Sequence, residues 1–163
     1  VYVYKSLFDG GVLIIKFSGN FLSDDARQSL LDIARLMNPD EIYAITTVIL
    51  DLKDVTSMTM DNTDSSQSIY WQRELISVMK HPIKDAIAHL SALKIFHVLP
   101  ENNVVKDIFL NRLKKLSGDD RITKRVSKIR SDNFSNLVDV LEQLDLLNLL
   151  PLLAEGWKEG PTQ

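Results

Sequence analysis

The run AITTVILDL, residues 44 to 52, is apolar or β-branched at every position except Asp51. It shows no alternation of polar and apolar residues, so as a strand it has no face to leave in water. A strand of this kind must be covered on both sides, which calls for a sheet with helices packed against it. The stretch SALKIFHVLP, residues 91 to 100, has the same character. By contrast VYVYKSL alternates, with Val1, Val3 and Lys5 on one face and Tyr2, Tyr4 and Ser6 on the other. DGG and VLIIKFSG follow it, the pattern of a hairpin turn and a second strand. RITKRVSKI, residues 121 to 129, is a more polar strand candidate that suits a sheet edge.

Helical spacing fills the gaps between these strands. Ser23 is placed to cap a helix, Asp24 and Asp25 complement its first turn, and Ala26, Leu30, Ile33, Ala34 and Met37 form its apolar stripe. Trp71, Leu75, Val78 and Met79 make a second stripe, and Pro82 opens a short helix through Ile83, Ile87 and Leu90. Val104, Val105, Ile108 and Phe109 form another, stopped near Ser117 and Gly118. Phe134, Leu137, Val138, Leu141 and Leu144 form the last. The order β-β-α-β-α-(α)-β-α-β-α predicts an α/β fold: a small mixed sheet of about five strands, an antiparallel opening hairpin and helices packed on it. One domain is expected over residues 1–145. Residues 146–163 form a leucine-rich extension, with EGWKEGPTQ as a loose end.

Chemistry has few places to reside. The chain contains no cysteine, which removes thiolate nucleophiles and thiolate metal sites and fits a reducing compartment. No G-x-S-x-G elbow, phosphate-cradling glycine loop, H-E-x-x-H or EF-hand ladder is present. His81, His89 and His97 have no i, i+4 ligand partners among themselves. Asp24–Asp25 fits a helix N-terminus and Asp119–Asp120 a turn, without acid–base chemistry. The expectation is a protein that is not an enzyme and holds no metal or cofactor.

The formal charge of −3 argues against nucleic acid as the main partner. A local cation cluster, Lys114, Lys115, Arg121, Lys124, Arg125, Lys128 and Arg130, suits a helix end and an edge strand and has no interleaved aromatic residues. There is no spanning apolar segment and no secretory pattern at the start, so a cytoplasmic setting is expected. LDLLNLLPLL, residues 144 to 153, carries more leucine than one helix face needs and offers a homodimer surface.

Several stretches resemble the STAS family, the sulfate-transporter and anti-sigma-factor antagonist domains. GGVLIIKFSGNF is similar to that family's opening hairpin, and VILDLKDVTSM to its central strand. LKIFHVLPENNVVKDIFLNRL and FSNLVDVLEQL are similar to its next strand and helix and to its closing helix. The resemblance covers roughly residues 1 to 145, and what it implies is a bacterial, non-enzymatic regulatory module that binds a protein partner, an anti-sigma factor or kinase-like regulator. In such antagonists a serine of a D-S-S-G motif after the central strand is phosphorylated and switches binding. Aligned without a gap, Thr59 stands for the aspartate and Asp61 for the acceptor serine. With a five-residue insertion, DSSQ at Asp64–Gln67 matches and Ser66 becomes the candidate phosphoacceptor. The resemblance therefore points to Thr59, Asp61, Asn62, Thr63, Asp64, Ser65 and Ser66 as the partner-binding turn, followed by the second helix. Trp71, Tyr70, Met79 and the leucine tail motivate an alternative, a small apolar or lipid-like ligand held between the helices, as in STAS/SEC14-like relatives.

Overall fold

The computed structural model describes residues 2–7, 10–22, 24–59, 74–79, 83–117 and 133–160. In chain order its elements are β1 (Tyr2–Leu7), β2 (Val12–Leu22), α1 (Asp25–Leu36), α2 (Pro39–Ala44) and β3 (Thr47–Thr59). A short helix over 74–79, α3, follows. Then come α4 (Ile83–Ala92), β4 (Lys94–Val98), α5 (Asn103–Ser117), β5 (Asn133–Phe134) and α6 (Leu137–Gln143), a 3-10 helix over Leu147–Ala154, and β6 (Lys158–Glu159).

The sheet is mixed and open, with strand order β5-β4-β3-β2-β1-β6. β1 and β2 form the expected antiparallel hairpin, while β2–β3, β3–β4 and β4–β5 pair in parallel. β3 lies at the centre, and its first six residues are all buried. The continuous apolar run thus does what its pattern requires, and the strand period of two divides its side chains between two cores. Val48, Leu50 and Leu52 join Leu13, Ile15 and Phe17 under α1 and α5, where Ile33, Val105 and Phe109 close the layer. Ile49 joins Val12, Ile14, Phe96 and Val98 on the opposite face, covered by Val140 and Leu141 of α6 and by Leu149. A third, smaller cluster of Leu31, Ala34, Ile42, Leu75, Met79 and Ala86 lies among α1–α4.

Several expectations shift at the margins. α1 begins at Asp25 with Asp24 in the cap position, and Ser23 lies outside the described residues. In α4 the buried position is Ala86, whereas Ile87 is exposed. Val104 and Ile108 of α5 and Val138 of α6 also face outward, so each of these helices buries a narrower stripe than its apolar content suggests. The edge strand next to β4 is a two-residue rung at Asn133–Phe134, and RITKRVSKI lies outside the described residues. So do Trp71, His81 and most of the cation cluster.

The C-terminal stretch departs furthest from its reading as a loose end. Lys158 and Glu159 pair antiparallel with Tyr4 and Val3 of β1, and the Gly160 N–H donates to the Tyr2 carbonyl at 3.0 Å. Trp157 Nε1 donates to the Leu153 carbonyl at 2.8 Å, and Lys16 Nζ sits 4.5 Å above the Trp157 ring. Lys5 Nζ donates to the Glu155 carbonyl. A Cβ on Gly160 would run into the Tyr2 ring, so a residue without a side chain is what lets this strand lie against β1. Of the leucine-rich segment only Leu149 is fully buried, while Leu147, Leu150 and Leu152 remain exposed.

Candidate functional site

β2 and β3 are much longer than their neighbours, and that difference builds the most distinctive surface of the molecule. β1 leaves β2 at Phe17, and β4 leaves β3 at Asp51. Beyond those points Ser18–Leu22 continues to pair with Asp54–Thr59, making a two-stranded parallel ribbon that outruns the sheet. The register shifts twice, between Lys16 and Ser18 and between Gly19 and Asn20. Such bulges bend and twist a strand, and Gly19 supplies the left-handed backbone, φ +73°, that the bend requires.

The ribbon has a buried and an exposed side. Phe21 and Val55 are buried against the α1/α5 core, with Phe21 edge-on to Phe17 at a centroid distance of 5.0 Å. Outward, Asn20 Oδ1 accepts from Ser57 Oγ at 2.9 Å and from Thr59 Oγ1 at 3.3 Å. One side-chain carbonyl therefore ties the two strands together where neither β1 nor β4 supports them. The Leu22 N–H donates to Asp25 Oδ2 at 2.8 Å, which fastens the ribbon's end to the start of α1. Asp24 pairs with Arg27 on the same helix.

Of the partner-binding residues that the resemblance points to, the structure describes Thr59: exposed, opposite Leu22 in the last register pair, with its hydroxyl on Asn20. Asp61, Asn62, Thr63, Asp64, Ser65 and Ser66 lie outside the described residues, as does Tyr70. Their point of departure is defined nonetheless, because Thr59 at the ribbon tip is the last described residue before them. Sequence reasoning missed Asn20 and Ser57. A polar Asn after Gly19, within a strand flanked by Phe17 and Phe21, was the available signal.

Two buried polar groups sit below the ribbon. Asp51, in register with Lys16 and Val98, faces the α6 side of the sheet. Burial pushes its carboxyl above the usual range, partly countered by the Lys53 N–H, which donates to Oδ1 at 3.0 Å, and by Lys16. His97 faces the opposite core, its ring 5.2 Å from that of Phe109. Burial holds its pKa down at about 4, and Nδ1 has no hydrogen-bond partner among the described residues. Among the described residues no three His, Asp or Glu side chains gather where they could hold a metal ion.

A cavity of about 60 Å³ lies between the sheet and the helices α1–α4, open on one side. Leu13 and Val48 line its sheet wall, and Ala34, Leu75 and Met79 its helical wall. Met79 is thus one of the residues lining this cavity. The leucine tail does not line it, since Leu149 packs on the other face of the sheet.

No protein-family model matches the sequence, and no curated protein is significantly similar to it. Among solved structures, the anti-sigma factor antagonist SpoIIAA in its unphosphorylated form is 13% identical, with a TM-score of 0.27, over 70% of this chain and 98% of that one. A crystal structure of Mglu is 14% identical, with a TM-score of 0.30, over 61% of this chain and 19% of that one. Its native form gives 14% and 0.29 over 61% of this chain and 23% of that one. The chain thus spans about a fifth of the Mglu chains. Likenesses at these scores carry no argument about fold or role. No described helix is long and apolar enough to cross a membrane.

Proposed function

We propose that this chain is a non-enzymatic, STAS-like regulatory module that binds a protein partner through the ribbon tip, meaning Thr59, the Asp61–Ser66 turn and the helix that follows. The observation that carries this reading is the β2–β3 ribbon, which outruns the sheet and ends at Thr59, the exposed, hydroxyl-lined point from which residues 60 to 66 depart. Loops presented by a rigid strand pair are well suited to recognition, because the scaffold fixes their ends without constraining their sequence. An anti-sigma factor or a kinase-like regulator is the partner class that the sequence resemblance suggests. Phosphate on Ser66, or the fixed charge of Asp61, would then act at that surface through local electrostatics. The setting that fits such a partner is the cytoplasm. The exposed leucines of the 3-10 helix are a separate, self-associating surface in this reading.

Affinity capture from lysate of the source cells tests the reading, using wild type beside a chain carrying Asp61→Lys and Ser66→Glu. The expected result is a partner retained by wild type and lost from the variant. Identical capture by both would refute the surface.

A second reading, uptake of a small apolar molecule, is favoured by the cavity under α1 and α4. Native mass spectrometry of the purified chain is its test. A co-purifying adduct of small-molecule mass is expected, and bare protein under gentle conditions would count against it.

A further inference from the structure

We infer that the cavity between the sheet and α1–α4 is a site for the terminal few atoms of an unbranched aliphatic chain, whose polar end stays outside. The inference rests on the second reading above and assigns its ligand class. Size keeps the seated length short: about 60 Å³ is well under the roughly 150 Å³ of an apolar cavity that takes a benzene ring. Chemistry sets the polarity. Among the described lining residues His89 is the one polar side chain, and it offers no formal charge to a charged head group. Its pKa is lowered by burial, its ring lies 4.9 Å from that of Tyr43 at a tilt of 46°, and the Ile45 backbone occupies part of its hydrogen-bonding capacity. A carboxylate or ammonium drawn into this lining would lose its water with nothing to replace it. An aliphatic end loses nothing and displaces water from an unfavourable surface.

The position of the cavity shows how a guest is accommodated. It follows the seam between two hydrophobic clusters, with Leu13 and Val48 in the sheet core and Ala34, Leu75 and Met79 in the small helical one. Seam walls can part slightly without opening either cluster. Met37 and Met79 both line the space, and their unbranched thioether side chains adapt to a guest's outline at little rotamer cost. The cavity is open on one side, so a longer chain continues outward and the seated length stays short.

Methyl NMR on protein labelled at Met and Leu methyls provides the test, with n-butanol and n-octanol as probes. Saturable shifts are expected at Met37, Met79, Leu75 and Leu90, and none at Leu149 on the opposite face. Each methylene taken from water is worth roughly a fourfold gain in affinity, so octanol, whose additional carbons lie beyond the seat that butanol already fills, should bind within about fourfold of butanol. Ala34→Leu fills the cavity from α1 and Leu75→Phe from α3. Whichever of the two keeps the wild-type fold should lose the response. A gain of tenfold or more from butanol to octanol, shifts without saturation, or a response retained in the filled variants would overturn the inference. A native-mass adduct from a chain that refuses both alcohols would leave the binding cavity standing and remove only the aliphatic assignment.

Discussion

His97 illustrates how a single residue can tie this fold to pH. It lies on β4 between Phe96 and Val98 and beside Leu50 of β3, and it is neutral because burial penalises the imidazolium. An unfolded histidine binds a proton below about 6.5, whereas folded His97 does so only below about 4. Between those values the unfolded state holds the extra proton. His97 therefore costs nothing above pH 6.5, and stability falls as the pH drops from 6.5 towards 4. The full effect is roughly 3 kcal/mol at 1.4 kcal/mol per pKa unit. His97→Leu should flatten that part of the curve in urea melts between pH 4 and 7. An unchanged slope would show that the loss arises elsewhere. Asp51 acts in the opposite sense. Its raised pKa gives stability at acidic pH that disappears as the pH rises through the folded value. Asp51→Asn keeps the acceptor for the Lys53 N–H and sheds the buried charge, so at pH 7 it should raise the Tm by a few degrees. A fall in Tm would mean that the pull of Lys16 outweighs the burial.

Among the elements, the ribbon and the C-terminal strand depend on a few side chains rather than on a broad core. Asn20→Ala removes the acceptor shared by Ser57 and Thr59, leaving the backbone ladder alone to hold the tip. At an exposed site the expected cost is about 1 kcal/mol or less, with faster amide exchange confined to 18–22 and 54–59. Exchange unchanged there would show the ladder to be sufficient. Gly160→Ala forces a methyl group against Tyr2, so β6 must lift or Tyr2 must turn within its aromatic cluster. Faster exchange at Val3 and Tyr4 and a loss of about 1–3 kcal/mol are expected. An equally protected β1 would contradict the pairing. These elements also mark where sequence reading succeeds and fails. β3 was legible because burial on both faces leaves its imprint in consecutive residues. β6 was not, because a two-residue strand has no period and its partner lies some 155 positions away, at Val3 and Tyr4. Nor did composition reveal that α5 would turn Val104 and Ile108 outward, since a helix stripe read without its neighbours has no fixed width.

At the scale of the molecule, two cores hold a central strand that runs on past its supports and ends at the exposed Thr59. The architecture was readable from apolar runs and turn residues. Of the candidate site, the sequence resemblance points to residues 59 to 66, while the long, bulged ribbon that ends at Thr59 depends on which neighbours stop first, and no local pattern records that. The central claim is that a protein partner docks at this tip. A photo-reactive amino acid placed at Asn62 tests it most directly, with a matched probe at Lys106 on α5 as the control. On irradiation in source-cell lysate, the Asn62 probe should yield a discrete adduct that Asp61→Lys with Ser66→Glu abolishes, and the Lys106 probe should yield none. An adduct from Lys106 with none from Asn62 would contradict the account.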